Sequence, residues 1–170
     1  WFPASGNYTD LPNNGKAVSA DKRLELDFEY KTAQDFYANR GIYHYSTYRF
    51  KRYDNYRDTY VGEVPCIMRW ENDMIWAEAL VRTGDLNGAA AILNRADGPR
   101  KVRGGLPDVA ANEADLLKAI FYEKTIECML TTEMTEFYDM RRKNMLQKGT
   151  MLHLPVIAQQ LEIMKVVWRL

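Results

Sequence analysis

The sequence predicts a mainly α-helical protein. Two observations carry that expectation. Apolar residues recur three and four apart through residues 66–96 and 112–130, and Gly, Pro and Asn stand where helices should begin and end. Composition bounds it further: the chain has 170 residues, 46% of them hydrophobic, which suits one domain with an ordinary core and is too apolar for a disordered chain. The expected organisation is a single domain over residues 1–170, in which an irregular, aromatic-rich segment (1–64) leads into a helical core (65–164).

Residues 1–22 are rich in Gly, Pro, Asn, Ser and Asp, and Asp10-Leu11-Pro12-Asn13-Asn14-Gly15 is turn chemistry. Leu24, Leu26 and Phe28 then alternate with charged residues, which predicts a short strand or extended segment. Aromatic residues follow densely from Tyr30 to Tyr60, with Asn39-Arg40-Gly41 as a turn among them. Val64-Pro65 closes this region, because proline biases its predecessor towards extended geometry.

A helix is expected from about Ile67 to Arg82, burying Ile67, Trp70, Met74, Ala77 and either Leu80 or Val81. Gly84-Asp85 should end it, glycine being the residue that tolerates the left-handed turn after a helix. A second helix is expected over Leu86 to Ala96, with Ala89, Ala90, Ile92 and Leu93 inward. The two form a helical hairpin. Trp76-Ala77-x2-Leu80, Ala89-x3-Leu93 and Ala96 fit one tetratricopeptide unit, although Asp73 stands at the expected aromatic position and Lys101 at the expected closing proline. Asp97-Gly98-Pro99 breaks the helix, and residues 97–111 read as a loop. Asn112 caps the next helix, which runs to about Leu130 with Leu116, Leu117, Ile120, Phe121 and Met129 on its apolar side. A further helix is expected over Thr135 to Asn144, then an extended stretch at residues 153–156 and a short helix near Ala158.

Composition also narrows function. Lys plus Arg equals Asp plus Glu at 23 each, so charge points to neither nucleic acid nor an anionic membrane surface. No apolar run approaches the roughly 18 residues of a membrane span. Cys66 and Cys128 are far apart and both fall in apolar helical patterns, the setting of buried free thiols. His44 and His153 have no ligand partner at metal spacing, and no cofactor or metal is expected. Arg103-Gly104-Gly105 lacks the lysine and the strand–loop–helix setting of a phosphate loop, so it reads as a flexible turn. Met129, Met134, Met140 and Met145 read as core filler. Glu123, Glu127, Asp139, Arg141 and Arg142 suggest a salt-bridge network between adjoining helices; a catalytic carboxylate pair is the sharper alternative.

Several pieces of residues 65–164, in order, resemble the C-terminal half of the SusD/RagB family. They are Pro65-Cys66-Ile67-Met68-Arg69 running on to Ala77-Glu78-Ala79-Leu80, then Gly84-Asp85 with Ala89 to Asn94, Ala119-Ile120-x2-Glu123-Lys124-x2-Glu127, Glu136-Phe137-Tyr138-Asp139-Met140-Arg141-Arg142, and Leu152-His153-Leu154-Pro155-Val156. Ile157 stands where the family has a second proline, and Thr132 to Glu136 replaces its usual Glu-Gly-x-Arg turn. The resemblance implies a non-enzymatic nutrient-binding component of an outer-membrane uptake system. Such a protein captures an oligosaccharide and hands it to a SusC-like TonB-dependent transporter. It also implies a surface-exposed lipoprotein of a Gram-negative outer membrane, with an anchor and N-terminal helices lying upstream of Trp1.

Aromatic faces bind sugar rings while polar groups at their edges fix orientation. Tyr43, Tyr45, Tyr48, Arg49, Tyr53 and Tyr56 are therefore the candidate ligand-binding residues, with Tyr37, Lys51, Arg52 and Asn55 nearby. The plainer reading packs these tyrosines against the helices. Two other functions fit parts of the chain. A tetratricopeptide-type scaffold would bind a peptide or protein partner but should show more than one repeat. A single-stranded nucleic-acid binder would use the basic, aromatic run 43–57, but the acidic balance elsewhere weighs against it.

Overall fold

The structure is a computed structural model that describes residues 16–31, 48–131 and 135–146. It is mainly helical. The chain divides into two compact units, Trp1–Glu133 and Met134–Leu170.

In the first unit the elements run α1 (Arg23–Asp27), β1 (Phe28–Tyr30), β2 (Tyr48–Phe50), a 3-10 turn at Asp54–Tyr56, α2 (Arg69–Thr83), α3 (Leu86–Leu93), α4 (Pro99–Val102) and α5 (Glu113–Glu127). In the second, α6 (Thr135–Arg142) carries an Arg142–Asp139 ion pair at 3.0 Å, one turn apart on the same helix.

Helices α2 and α3 pack on each other and both pack on α5. The turn between them works as its residues require. Gly84 adopts φ 89°, a left-handed conformation in which a Cβ would crowd the following carbonyl, and its N–H caps the carbonyls of Leu80 and Val81. Asp85 then accepts from the Gly88 N–H at 2.8 Å and opens α3. Asn112 does the same for α5, accepting from the Asp115 N–H at 2.9 Å. The apolar core joins Trp70, Met74, Ala77 and Val81 of α2 to Ala89, Ile92 and Leu93 of α3 and to Leu116, Ile120 and Cys128. Asn94 fastens the 97–111 connection to this core by exchanging hydrogen bonds with both backbone groups of Val109.

Several expectations need correction. Residues 24–26 are helical, and extended backbone begins only at Phe28: the alternation of Leu24 and Leu26 does not bury a face, since Leu26 is 55% exposed. Helix α2 starts at Arg69, after extended Met68, which leaves Ile67 outside the helix and exposed. Helix α3 ends at Leu93, three residues early. Pro99 does not merely break a helix; it occupies the first turn of α4, where its missing N–H has no intrahelical partner to lose. Cys66 is exposed and Cys128 buried, and no disulfide joins them. Burial pushes the Cys128 thiol up to about 12, with the Glu71 and Glu127 charges adding to it. The expected turn at Asn39-Arg40-Gly41, the extended stretch at 153–156, the helix near Ala158 and both histidines lie outside the described residues.

Candidate functional site

A groove of about 630 Å³ opens beside the β1–β2 ladder. Its described lining comprises residues 16–19, Leu24, Glu25, Phe28, Glu29, Tyr30, Tyr48 and Lys51. The ladder is antiparallel, with Phe28 opposite Phe50, Glu29 opposite Arg49 and Tyr30 opposite Tyr48. Alternation along a strand separates the aromatic pairs from the charged one. Phe28 meets Phe50 edge-on with centroids 5.4 Å apart, and Tyr30 meets Tyr48 at 5.3 Å with a tilt of 57°. The Tyr48 hydroxyl accepts from the Ala17 N–H, which draws residues 16–19 across the groove.

The candidate ligand residues separate in this frame. Tyr48 lines the groove. Arg49 donates to Glu29 at 2.6 and 2.9 Å and to Asp54, and these hydrogen bonds hold both carboxyls below their usual range. Tyr53 packs edge-on against Phe50 at 5.9 Å. The Tyr56 ring lies over Gly62, where a Cβ would sit 2.0 Å from the ring. Tyr43 and Tyr45 lie outside the described residues, as does Tyr37. The groove adds Tyr30, Lys16, Glu25 and Glu29, none of which was among the candidate ligand-binding residues.

Behind the groove, α1 faces a second and drier environment. Arg23 is fully buried and donates both Nη atoms to Glu123, at 2.8 and 3.0 Å, with Nη1 also 3.3 Å from Glu127. Its Nε and Nη2 reach Asp21 at 3.0 and 2.7 Å. Arg100 adds a bond to Glu123 at 3.0 Å. Arg52 reaches Asp27 at 2.7 Å and the Glu127 carbonyl at 2.7 Å, while Arg103 bridges Asp27 and Glu127. Four arginines thus face four carboxylates, and planar guanidiniums can serve two carboxylates at once.

Electrostatics follow from this packing. Burial alone would raise the Asp21 carboxyl, but hydrogen bonds from Arg23 and Tyr122 outweigh it and hold the group below its usual value. Burial pushes the Tyr122 hydroxyl up to about 12, with the Asp21 charge it donates to adding to the shift. Burial opposes the charge on Arg23, yet Glu123 and Asp21 more than compensate, so the guanidinium is held more firmly protonated than usual.

Among the described residues, Glu123 and Glu127 do enter an ion-pair network, whose cations are Arg23, Arg52, Arg100 and Arg103. One sequence signal pointed that way: Leu116, Ile120, Glu123 and Glu127 share a single stripe of α5, so two carboxylates continue an apolar face into the interior. Glu123 and Glu127 are 0% and 1% exposed with arginines on their oxygens, a geometry suited to holding charge in place. Gly104 sits against this cluster, where a Cβ would lie 2.8 Å from the Arg100 carbonyl and 3.2 Å from Arg23 Nε. Arg103-Gly104-Gly105 is thus a packed part of the cluster rather than a flexible turn: Gly104 is buried and its carbonyl accepts from the Lys22 N–H at 3.1 Å. No group of three or more potential metal ligands occurs among the described residues.

Compared with protein-family models, curated proteins and solved structures, the chain matches none.

Proposed function

We propose that this protein is the substrate-binding component of a SusC/SusD-type nutrient uptake system: it binds an oligosaccharide without hydrolysing it and passes it to a TonB-dependent transporter in the outer membrane. The observation that carries this reading is the groove beside the β1–β2 ladder. Its volume falls within the range of small-ligand sites, and it sets two tyrosine rings among hydroxyl, ammonium and carboxylate groups. A sugar ring offers C–H groups to an aromatic face and hydroxyls to its polar surroundings, so such a lining suits it. The order of the SusD/RagB-like pieces along residues 65–164 supports the same reading from a separate direction. The protein would accordingly work at the surface of a Gram-negative outer membrane, beside a SusC-like partner, with no cofactor.

A glycan-array screen followed by calorimetry tests the proposal. The expected result is saturable oligosaccharide binding without product release, weakened at least about tenfold in Tyr30→Ala and Tyr48→Ala variants, a loss in the range measured for stacking contacts. Failure of every glycan would sink it, and binding of a peptide library instead would favour a tetratricopeptide-type scaffold.

A further inference from the structure

The described apolar core draws on α2, α3, α5 and Cys128, with Met68 and Val109 packed at its edge, and on no residue of α1, β1 or β2. Among the described residues, polar contacts tie those three elements to the helices. Arg23 crosses to Glu123 and Glu127, Asp27 receives Arg103 from beyond α4, and Arg52 reaches the last carbonyl of α5. Asp21 takes the Tyr122 hydroxyl, the Arg23 guanidinium lies 5.8 Å from the Tyr122 ring centroid, and the Lys22 N–H donates to the Gly104 carbonyl. The ladder layer meanwhile has cohesion of its own. Phe28, Phe50 and Tyr53 stack together, the Lys51 N–H donates to the Asp27 carbonyl at 2.7 Å, and Arg49 joins Glu29 to Asp54.

We propose that α1, β1 and β2 form a separately docking layer whose seam with the helices is the arginine–carboxylate cluster, and that Arg23 and Asp27 are positioning residues for the groove on its other face. The physical reason lies in how the two kinds of contact fail. An apolar core loses its stabilisation gradually as area is exposed, whereas a charge-paired seam is held by directional bonds whose partners regain water as soon as it parts. Successive residues of α1 and the start of β1 are divided between the two sides: Arg23 and Asp27 enter the cluster, while Leu24, Glu25 and Phe28 line the groove. Movement at the seam therefore moves the groove floor. The consequence for ligand capture rests on the saccharide-binding reading; the separate docking does not.

Native-state hydrogen exchange read by mass spectrometry, without ligand, tests the seam in the full chain. Peptides covering 16–31 and 48–56 are expected to open together in low urea, with a shallower urea dependence than peptides of α2, α3 and α5. Asp27→Asn should speed exchange in the first set at least about tenfold, because it removes a charge from the seam. Leu116→Ala should accelerate α2, α3 and α5 while sparing the first set, whose opening leaves the apolar core intact. If Leu116→Ala moves all peptides by one common factor, the layer is not separate. Should Asp27→Asn fail to fold, a single urea isotherm shared by both peptide sets in the unmodified protein would overturn the proposal equally well. Failure of glycan binding with two distinct opening units would discard the saccharide reading and leave the seam standing.

Discussion

The two halves of helix α5 are built on opposite principles. Its first half presents Leu116 and Ile120 to α2 and α3, where both are fully buried among aliphatic and aromatic groups. Its second half presents Glu123 and Glu127, buried as deeply, to four guanidiniums. The same stripe of one helix thus serves a tolerant interface and an exacting one. Apolar contact is non-directional and accepts substitutes of similar volume, whereas a buried carboxylate needs its hydrogen bonds in place and is costly when left without them.

The comparison can be broken or sharpened by substitution. Arg23→Ala should have the largest effect, about 3–5 kcal/mol in urea unfolding, because it removes the guanidinium that Asp21, Glu123 and Glu127 share in a dry site. Leu93→Ala, on the tolerant side, should cost about 2–5 kcal/mol by leaving a cavity, with its value set by how far α2 and α5 relax into the space. If Arg23→Ala were the milder of the two, the cluster would have to be wetter than its burial indicates. Gly84→Ala should cost about 1 kcal/mol, since it forces a Cβ into the left-handed cap while touching neither environment.

The smallest effect is a change of slope with acidity. Asp21 has a depressed carboxyl pKa in the folded protein, so its contribution is fully present above the unfolded value near pH 4 and disappears as pH falls through the folded one. Unfolding midpoints measured between pH 5 and pH 2 should therefore fall more shallowly in Asp21→Asn than in the unmodified chain. Identical slopes would show that the Arg23 and Tyr122 contacts do not favour the ionised form.

The tolerant half was legible in the sequence, while of the exacting half only the carboxylates were and not their partners, for a physical reason. Helical periodicity and caps are local: Gly84, Asp85 and Asn112 act on backbone groups within a few residues, and spacing alone marks Trp70, Met74, Ala77 and Leu93 as inward. The partners of Glu123 and Glu127 lie far away along the chain. Arg23 and Arg52 come from the segment read as irregular, and Arg100 and Arg103 come from the stretch read as a loop. A guanidinium carries no periodicity that says which carboxylate it will meet. The groove was half legible for the same reason. Tyr48 stood out among the aromatics, but its neighbour Tyr30 becomes one only through the pairing of β1 with β2.

Gly104 shows what such a cluster asks of a position that contributes no side chain. The space a methyl group would take there is already held by the Arg100 carbonyl and the Arg23 guanidinium. In a library of every single substitution, Gly104 should therefore rank among the least replaceable residues of its loop for want of space, whereas exposed Gly105 beside it is constrained by a left-handed φ of 65° instead. Selection at Gly104 would be guarding an emptiness: the heritable information there is that nothing be added.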